Sequence, residues 1–110
     1  MVYTSKDSIA NFIWQQLGAQ RFSLATGCNP IAHGKDNGKV YLLMSVGENV
    51  RSICRIEVSY DEDSERYGMR FMRRRNGVTS VIANFNDVES GMLHVLFEQE
   101  TGMTLPKIYA

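Results

Sequence analysis

The middle of the chain carries two consecutive β-hairpin patterns, which restrict the fold more than any other feature of the sequence. From Val50 to Tyr60 apolar and polar side chains alternate, which predicts a half-buried strand. The acidic run Asp61 to Glu65 predicts a solvated turn, and Arg66 to Arg75 predicts the returning strand. Asn76-Gly77 is a strong hairpin signal and leads into a further strand, Val78 to Phe85. The residues predicted to share a buried face are Cys54, Ile56, Val58 and Tyr60 in the first strand and Tyr67, Met69 and Phe71 in the second.

Two shorter β-like runs precede these hairpins. Phe22 to Thr26 alternates weakly, and Lys39 to Ser45 is bounded by Gly38 and Gly47. The stretch between them, Gly27 to Gly38, contains three glycines and a proline. It therefore predicts a long loop between two strands.

Helical periodicity marks both ends of the chain. Apolar residues recur at helical spacing from Ser5 to Leu17, and Gly18 is placed to end that helix. Asn86 followed by Glu89 is a variant of the capping box, which predicts a second helix from about Asp87 to Thr101.

These elements predict one α+β domain over residues 1–110. It consists of an N-terminal helix, an antiparallel β-meander of four to five strands and a C-terminal helix packed on one face. Strands grouped between helices favour this class over alternating βαβ units. Both helices can cover one face of the meander, which leaves the other face to water or to a partner.

Composition excludes several classes of protein. Twelve basic and twelve acidic side chains give a formal net charge of zero, so no global field attracts nucleic acid or an anionic membrane. Near-neutral chains are less protected against self-association, so a homo-oligomer is one alternative. Two cysteines are too few for a disulfide framework, and neither a signal peptide nor a long apolar stretch occurs. A cytoplasmic protein without membrane spans is predicted.

The densest local charge is the arginine run from Arg66 to Arg75, which holds five arginines in ten residues. Guanidinium groups bind phosphates and carboxylates bidentately. Strand alternation puts Arg70 and Arg74 on one outer face, which Arg55 joins from the neighbouring strand. Nucleic-acid binding is one interpretation, and a solvated strand end paired with the adjacent acidic turn is the other. The candidate partner-binding residues are Arg55, Arg70, Met72, Arg73, Arg74 and Arg75; Phe71 is predicted to face inward but also lies near this surface along the strand.

No constellation of catalytic, cofactor or metal-binding residues stands out. His33 and His94 are the only histidines, and neither lies at a metal-ligand spacing. His94 is interpreted as a satisfied or half-exposed helix residue, and Cys54 as a core residue. His33 and Cys28 could form a catalytic pair only if the Gly27 to Gly38 loop brought them together. No metal, cofactor or catalytic residue is therefore predicted.

Three stretches resemble small proteins encoded in bacteriophages and prophages. They are Gln15 to Cys28, with a Leu-Gly turn before an RF-x-x-x-TG segment; the pair around Arg55 to Val58 and Tyr67 to Phe71; and Phe97 to Met103, with an F-x-x-E-T-G ending. Cys28 and the run Arg73-Arg74-Arg75 depart from that family's pattern. The resemblance implies the fold and a phage or prophage origin, and it carries over no functional residue.

We therefore predict a non-enzymatic phage or prophage accessory protein that binds a host or phage protein, with inhibition of a host defence factor as one form of that function. The alternative is nucleic-acid binding through the strand from Arg66 to Arg75. An enzyme built around the Gly27 to Gly38 loop is a third interpretation.

Overall fold

The computed structural model describes residues 8–36 and 38–105, which form a helical layer on one face of a five-stranded antiparallel sheet. The predicted α+β class, the meander and the helices at its two ends are confirmed. The elements are α1 (Ser8–Leu17), α2 (Ala19–Thr26), β1 (Asn29–Asp36), β2 (Lys39–Ser45), β3 (Ile53–Asp61), β4 (Arg66–Arg75), β5 (Val78–Val88), a short 3-10 turn (Ser90–Met92) and α3 (Leu93–Thr101).

The sheet is a simple meander in the order β1-β2-β3-β4-β5, in which each strand pairs with the next one along the chain. β2 and β4 have the bounds that the sequence predicts. Asn76 and Gly77 both have positive φ, 51° and 77°, as a two-residue type I′ hairpin turn requires. The acidic turn is also confirmed, and the amide of Glu65 closes it by donating to the carbonyl oxygen of Asp61 at 2.8 Å.

The core lies between the helices and the inner face of the sheet. Phe22 is fully buried, and its ring meets those of Phe97 and Trp14 in edge-on contacts with centroid separations of 5.0 Å and 6.3 Å. His94 Nε2 donates to the carbonyl oxygen of Leu17 at 2.7 Å, which ties α3 to the end of α1. The strand residues buried beneath the helices include Leu42, Met44, Ile56, Val58, Tyr67, Met69 and Phe71.

The predicted strand from Phe22 to Thr26 is wrong, because these residues form the second half of α2. Phe22 and Thr26 lie one helical turn apart and are both buried. The Thr26 hydroxyl donates to the Phe22 carbonyl oxygen at 2.7 Å. Over five residues, weak alternation does not distinguish a strand from one and a half turns of helix. Gly18 ends α1 as predicted, and its φ of 115° turns the chain directly into α2.

The predicted long loop from Gly27 to Gly38 is also wrong, because most of it is β1, paired with β2. Pro30 and Gly34 read as strand breakers in the sequence. β1 is an edge strand, where a proline near the start costs little. The ring of Tyr41 lies against Gly34, so that a Cβ at Gly34 would meet the Tyr41 hydroxyl at 2.6 Å.

The C-terminal helix begins later than predicted. β5 continues to Val88, which is buried, and only after the 3-10 turn does α3 start at Leu93. Asp87 has a φ of 54° and belongs to an irregularity in the pairing of β4 with β5. Asn86 is therefore a strand residue and not a helix cap. The predicted end of this helix at Thr101 is confirmed.

The inner face of β3 differs from the prediction at its first residues. The pairing shifts between Ile53 and Arg55, as at a β-bulge, and leaves Cys54 without a register partner. Ile53 consequently joins the core at 2% exposure, whereas Cys54 is half-buried. Residues 5–7 of the predicted first helix lie outside the described residues.

Candidate functional site

The face of the sheet opposite the helices carries most of the candidate binding residues. Residues that pair directly across antiparallel strands point to the same face. Arg70 pairs with Glu57 on β3 and with Asn84 on β5, and it is exposed. Arg55 pairs with Met72, which pairs in turn with Val81. We call this surface the open face.

A hollow of about 610 Å³ lies on the open face and involves all five strands. Its floor is formed by Gly68, which has no side chain, and by the neighbouring Ser59. A hollow of this volume is within the usual range for sites that take small molecules. Its lining residues are Lys35, Lys39, Tyr41, Leu43, Glu57, Ser59, Gly68, Met69, Arg70, Asn84 and Asn86.

The electrostatics of the hollow favour an anion. Lys39 and Arg70 bring two positive charges, and Glu57 is the one carboxylate among the described residues that line it. Lys35 also lines the hollow, but it pairs with the buried Val40, so its side chain points to the opposite face. Arg70 Nη1 lies 3.9 Å from Glu57 Oε2, which is longer than the 2.7–2.9 Å of a charge-assisted hydrogen bond. The Arg70 side chain is 47% exposed. Its guanidinium group therefore keeps donors that an incoming anion can use.

The other predicted partner-binding residues surround this hollow in different ways. Arg55 and Met72 form the row next to it on the open face, together with Val81, which is 50% exposed. Arg74 also lies on the open face, since it is two residues from Met72 along β4. Phe71, in contrast, is completely buried in the core and cannot belong to a contact surface.

Arg73, Arg74 and Arg75 lie at the tip of the β4–β5 hairpin. Arg73 pairs with the buried Ile53, so it and Arg75 point to the side of the sheet opposite Arg74. The acidic turn is at the other end of β4, about 23 to 30 Å from these arginines for seven to nine residue steps. This distance is several Debye lengths at physiological salt. Pairing of the acidic turn with these three arginines is therefore wrong.

Arg66, the first arginine of the run, has a different role. Its Nη1 lies 2.7 Å from Glu89 Oε1, and this hydrogen bond raises the pKa of the Arg66 guanidinium. The sequence predicts that Glu89 caps the C-terminal helix, whereas the structure shows it pairing with β4. Within residues 8–36 and 38–105, no carboxylate lies within 4.0 Å of the side-chain nitrogens of Arg73, Arg74 or Arg75.

The structure separates the two residues of the hypothetical catalytic pair. Cys28 is fully buried just before β1, where desolvation raises the pKa of its thiol to about 11, although a hydrogen bond with Thr26 acts in the opposite direction. His33 is exposed on β1, five residues further along an extended chain, or about 16 Å. His94 is partly buried and hydrogen-bonded, as predicted.

The part of the chain that the structure describes contains no group of three or more His, Cys, Asp or Glu side chains arranged to hold a metal ion. None of the helices in this part has the length and apolar character needed to cross a membrane.

Sequence reasoning missed most of the hollow. Lys35 lies in the segment that the sequence predicts to be a loop, and Asn86 in the predicted helix cap. Lys39 and Asn84 lie in predicted strands, but nothing in their local sequence sets them apart from other exposed polar residues. The usable signal was Gly68, since a glycine inside a strand often marks a place where another group approaches the backbone.

Comparisons with protein-family models, curated proteins and solved structures find no significant match to the chain. The phage or prophage origin that the three sequence stretches imply therefore stays a prediction.

Proposed function

We propose that this chain is a small non-enzymatic protein-binding module whose contact surface is the open face of the sheet. In this proposal it is a phage or prophage accessory protein, acting in the host cytoplasm on a host or phage protein such as a defence factor. The observation that carries the proposal is the sheet face that no described helix covers, on which Arg55 and Arg70 flank the partly exposed Met72.

The chemistry of this surface supports a protein partner. Arginine and methionine are enriched at protein interfaces, and arginine is a frequent hot spot of binding energy. Val81 adds a half-exposed apolar side chain beside Met72, in the same row across β4 and β5. A row of apolar side chains with arginines at its margin suits a protein surface better than a phosphate backbone, which offers charge but little apolar area.

The test is capture of the partner from host lysate by the tagged protein, with and without nuclease and at two salt concentrations, followed by mass spectrometry. We expect a protein that is retained after nuclease treatment and at moderate salt. Substituting both Arg55→Gln and Arg70→Gln should weaken its binding at least tenfold, or about 1.4 kcal/mol. Arg21→Gln is the matched control, because Arg21 is exposed on α2 in the opposite layer.

Two results would contradict the proposal. A partner that is held equally by the double variant and by the wild type binds some other surface. Turnover of a substrate that is lost in a folded His33→Ala variant would make the chain an enzyme.

A second candidate is nucleic-acid binding by the hairpin tip, and the separation of Arg73, Arg74 and Arg75 from the acidic turn favours it. Its signature is an affinity that falls steeply with salt. Replacing Arg73 and Arg74 with alanine should reduce the slope of log K against log salt by about one unit for each phosphate that the variant no longer neutralises. Binding that is absent or insensitive to salt would remove this candidate.

A further inference from the structure

The shape of the hollow follows from one row of residues across the sheet. Gly34, Tyr41, Ser59 and Gly68 are successive register partners on β1 to β4. The Tyr41 ring covers Gly34, whereas Ser59 Oγ would lie only 2.6 Å from a Cβ at Gly68. Any side chain at position 68 would therefore displace Ser59 and occupy the floor of the hollow. Glycine at this position keeps the floor low and brings the Ser59 hydroxyl to the surface.

Arg70 lies at the wall of the hollow, and its guanidinium group is only partly paired with a carboxylate. Its distance of 3.9 Å from the Glu57 carboxylate leaves room for a second anion to accept a pair of hydrogen bonds from the guanidinium group. Lys39 lines the side formed by β2 and adds to the positive potential. Glu57 remains as one negative charge in the wall, which disfavours a ligand with closely spaced phosphates.

The neutral lining groups indicate what surrounds the anionic group. Asn84 and Asn86 each offer both a donor and an acceptor, and Ser59 does the same through its hydroxyl. Peptide groups also present one donor and one acceptor per residue. A phosphodiester backbone presents acceptors and no donors. One guanidinium group, two side-chain amides and a floor without a side chain at Gly68 therefore fit a peptide that carries a carboxylate.

We infer that the hollow receives a glutamate or aspartate side chain from an extended acidic segment of the protein partner, with Arg70 as its anchor. This inference rests on the proposed function and names the chemistry of the partner segment. The carboxylate forms the bidentate pair with Arg70, Lys39 faces the remaining negative charge of the segment, and Asn84 and Asn86 bind its peptide groups.

The test is an NMR titration of the full chain, labelled with ¹⁵N, with a capped glutamate-rich peptide. A capped peptide of the same length with glutamine at each glutamate position is the matched control. We expect saturable shifts of the Ser59, Gly68 and Asn84 amides with the acidic peptide only. Equal shifts with both peptides, or none with the acidic one, would overturn the inference.

Variants of Arg70 test its role as the anchor of the acidic peptide. Arg70→Gln should weaken acidic-peptide binding at least about tenfold, the loss expected for one charge-assisted bond. Arg70→Lys should restore part of it, because the charge remains but the fork does not. Arg21→Gln, on α2 in the opposite layer, should bind the peptide like the wild type. Unchanged binding by Arg70→Gln would overturn the inference, because a variant that still binds the peptide is folded.

Two further probes identify other occupants. Inorganic phosphate or a single-stranded oligonucleotide that shifts the same amides at lower concentration than the acidic peptide would overturn the inference in favour of a phosphate site. The result of the peptide test can also be distinguished from the result of the partner-capture test of the proposed function. If capture of a partner depends on Arg55 and Arg70 but the protein does not bind the acidic peptide, the inference is wrong and the proposed function is not contradicted.

Discussion

Asn49 organises the connection between β2 and β3 with a single side chain. Its Nδ2 donates to the carbonyl oxygens of Gly47 and Ile53 at 2.9 Å and 2.8 Å. Its Oδ1 accepts from the amides of Arg51 and Ile53 at 3.2 Å and 3.0 Å. These four bonds replace the backbone partners that a loop cannot supply.

We therefore expect Asn49→Ala to lower the free energy of unfolding by about 2–3 kcal/mol, since each hydrogen bond contributes roughly 0.5–1.5 kcal/mol and two of the backbone groups belong to the buried Ile53. Urea denaturation monitored by circular dichroism measures the change. Asn84→Ala is the control, because Asn84 is exposed on β5, and it should change stability by less than about 0.5 kcal/mol. Equal effects of the two substitutions would show that Asn49 does not hold this loop.

The buried thiol of Cys28 makes the free energy of unfolding depend on pH in the alkaline range. Burial raises the pKa of its thiol from 9.0 to about 11, so between these values the native state keeps a proton that the unfolded chain releases. Stability is therefore complete below pH 9 and falls as the pH rises toward 11, by up to about 2–3 kcal/mol. Tyr67, whose pKa burial raises to about 12, continues the fall above pH 10.

The check is the free energy of unfolding of the wild type and Cys28→Ala at a series of pH values from 8 to 11. The variant is less stable at pH 8 because it leaves a small cavity. Its curve should nevertheless be the flatter of the two between pH 9 and 10, where Tyr67 contributes little. Parallel curves would contradict the assignment of this pH dependence to Cys28.

At the scale of the element, the β4–β5 hairpin depends on the left-handed conformation of its turn. Gly77 has a φ of 77°, and a Cβ there would have no heavy atom within 4 Å. Gly91 in the 3-10 turn is equally open around its Cβ position, but its φ is not in the left-handed region. The two glycines thus differ in backbone conformation and not in available space.

Gly77→Ala should accordingly destabilise the protein by about 1 kcal/mol, which is the cost of placing a Cβ in the left-handed region. Gly91→Ala should leave stability unchanged or raise it by a few tenths of a kcal/mol, because alanine restricts the unfolded chain more. Thermal unfolding of the two variants in parallel is the measurement. A similar loss in both would mean that conformation does not decide the effect.

The elements that the sequence predicts well are those with a local signal. β2 has glycines at both ends, and the Asn76-Gly77 turn fixes the register of β4 against β5. α2 and β1 were missed because tertiary contacts override their local patterns: Phe22 packs on Phe97 from α3, and Tyr41 shields Gly34 across the strand pair. Phe22 and Phe97 are far apart in the sequence, so no local window contains their contact, and the pairing of Gly34 with Tyr41 becomes visible only once β1 is known to be a strand.

At the scale of the whole molecule, the candidate site was only partly predictable. Alternation along β4 places Arg70 and Arg74 on the outer face, as the register shows. The hollow beside Arg70 depends on Lys35 from β1 and Asn86 from β5. Lys35 lies in β1, which the sequence does not predict. Asn86 lies in the irregular pairing that extends β5 past its predicted end.

The two faces of the sheet have different roles. The helices and the inner face of the sheet form the core, which buries large apolar side chains such as Phe22 and Phe71. The open face has charged and polar side chains around a hollow, and within the described residues no helix packs over it. Substitutions on this face should change binding much more than stability.

Site-specific photo-crosslinking in host lysate tests the open face as the binding surface most directly. A photoreactive side chain at Thr79, which pairs with Arg74 on the open face, should crosslink to a partner protein that survives nuclease treatment. The same side chain at Gln16 or Gln20, both exposed on the helical layer, should not. Crosslinks from the helical positions without any from Thr79 would contradict the account.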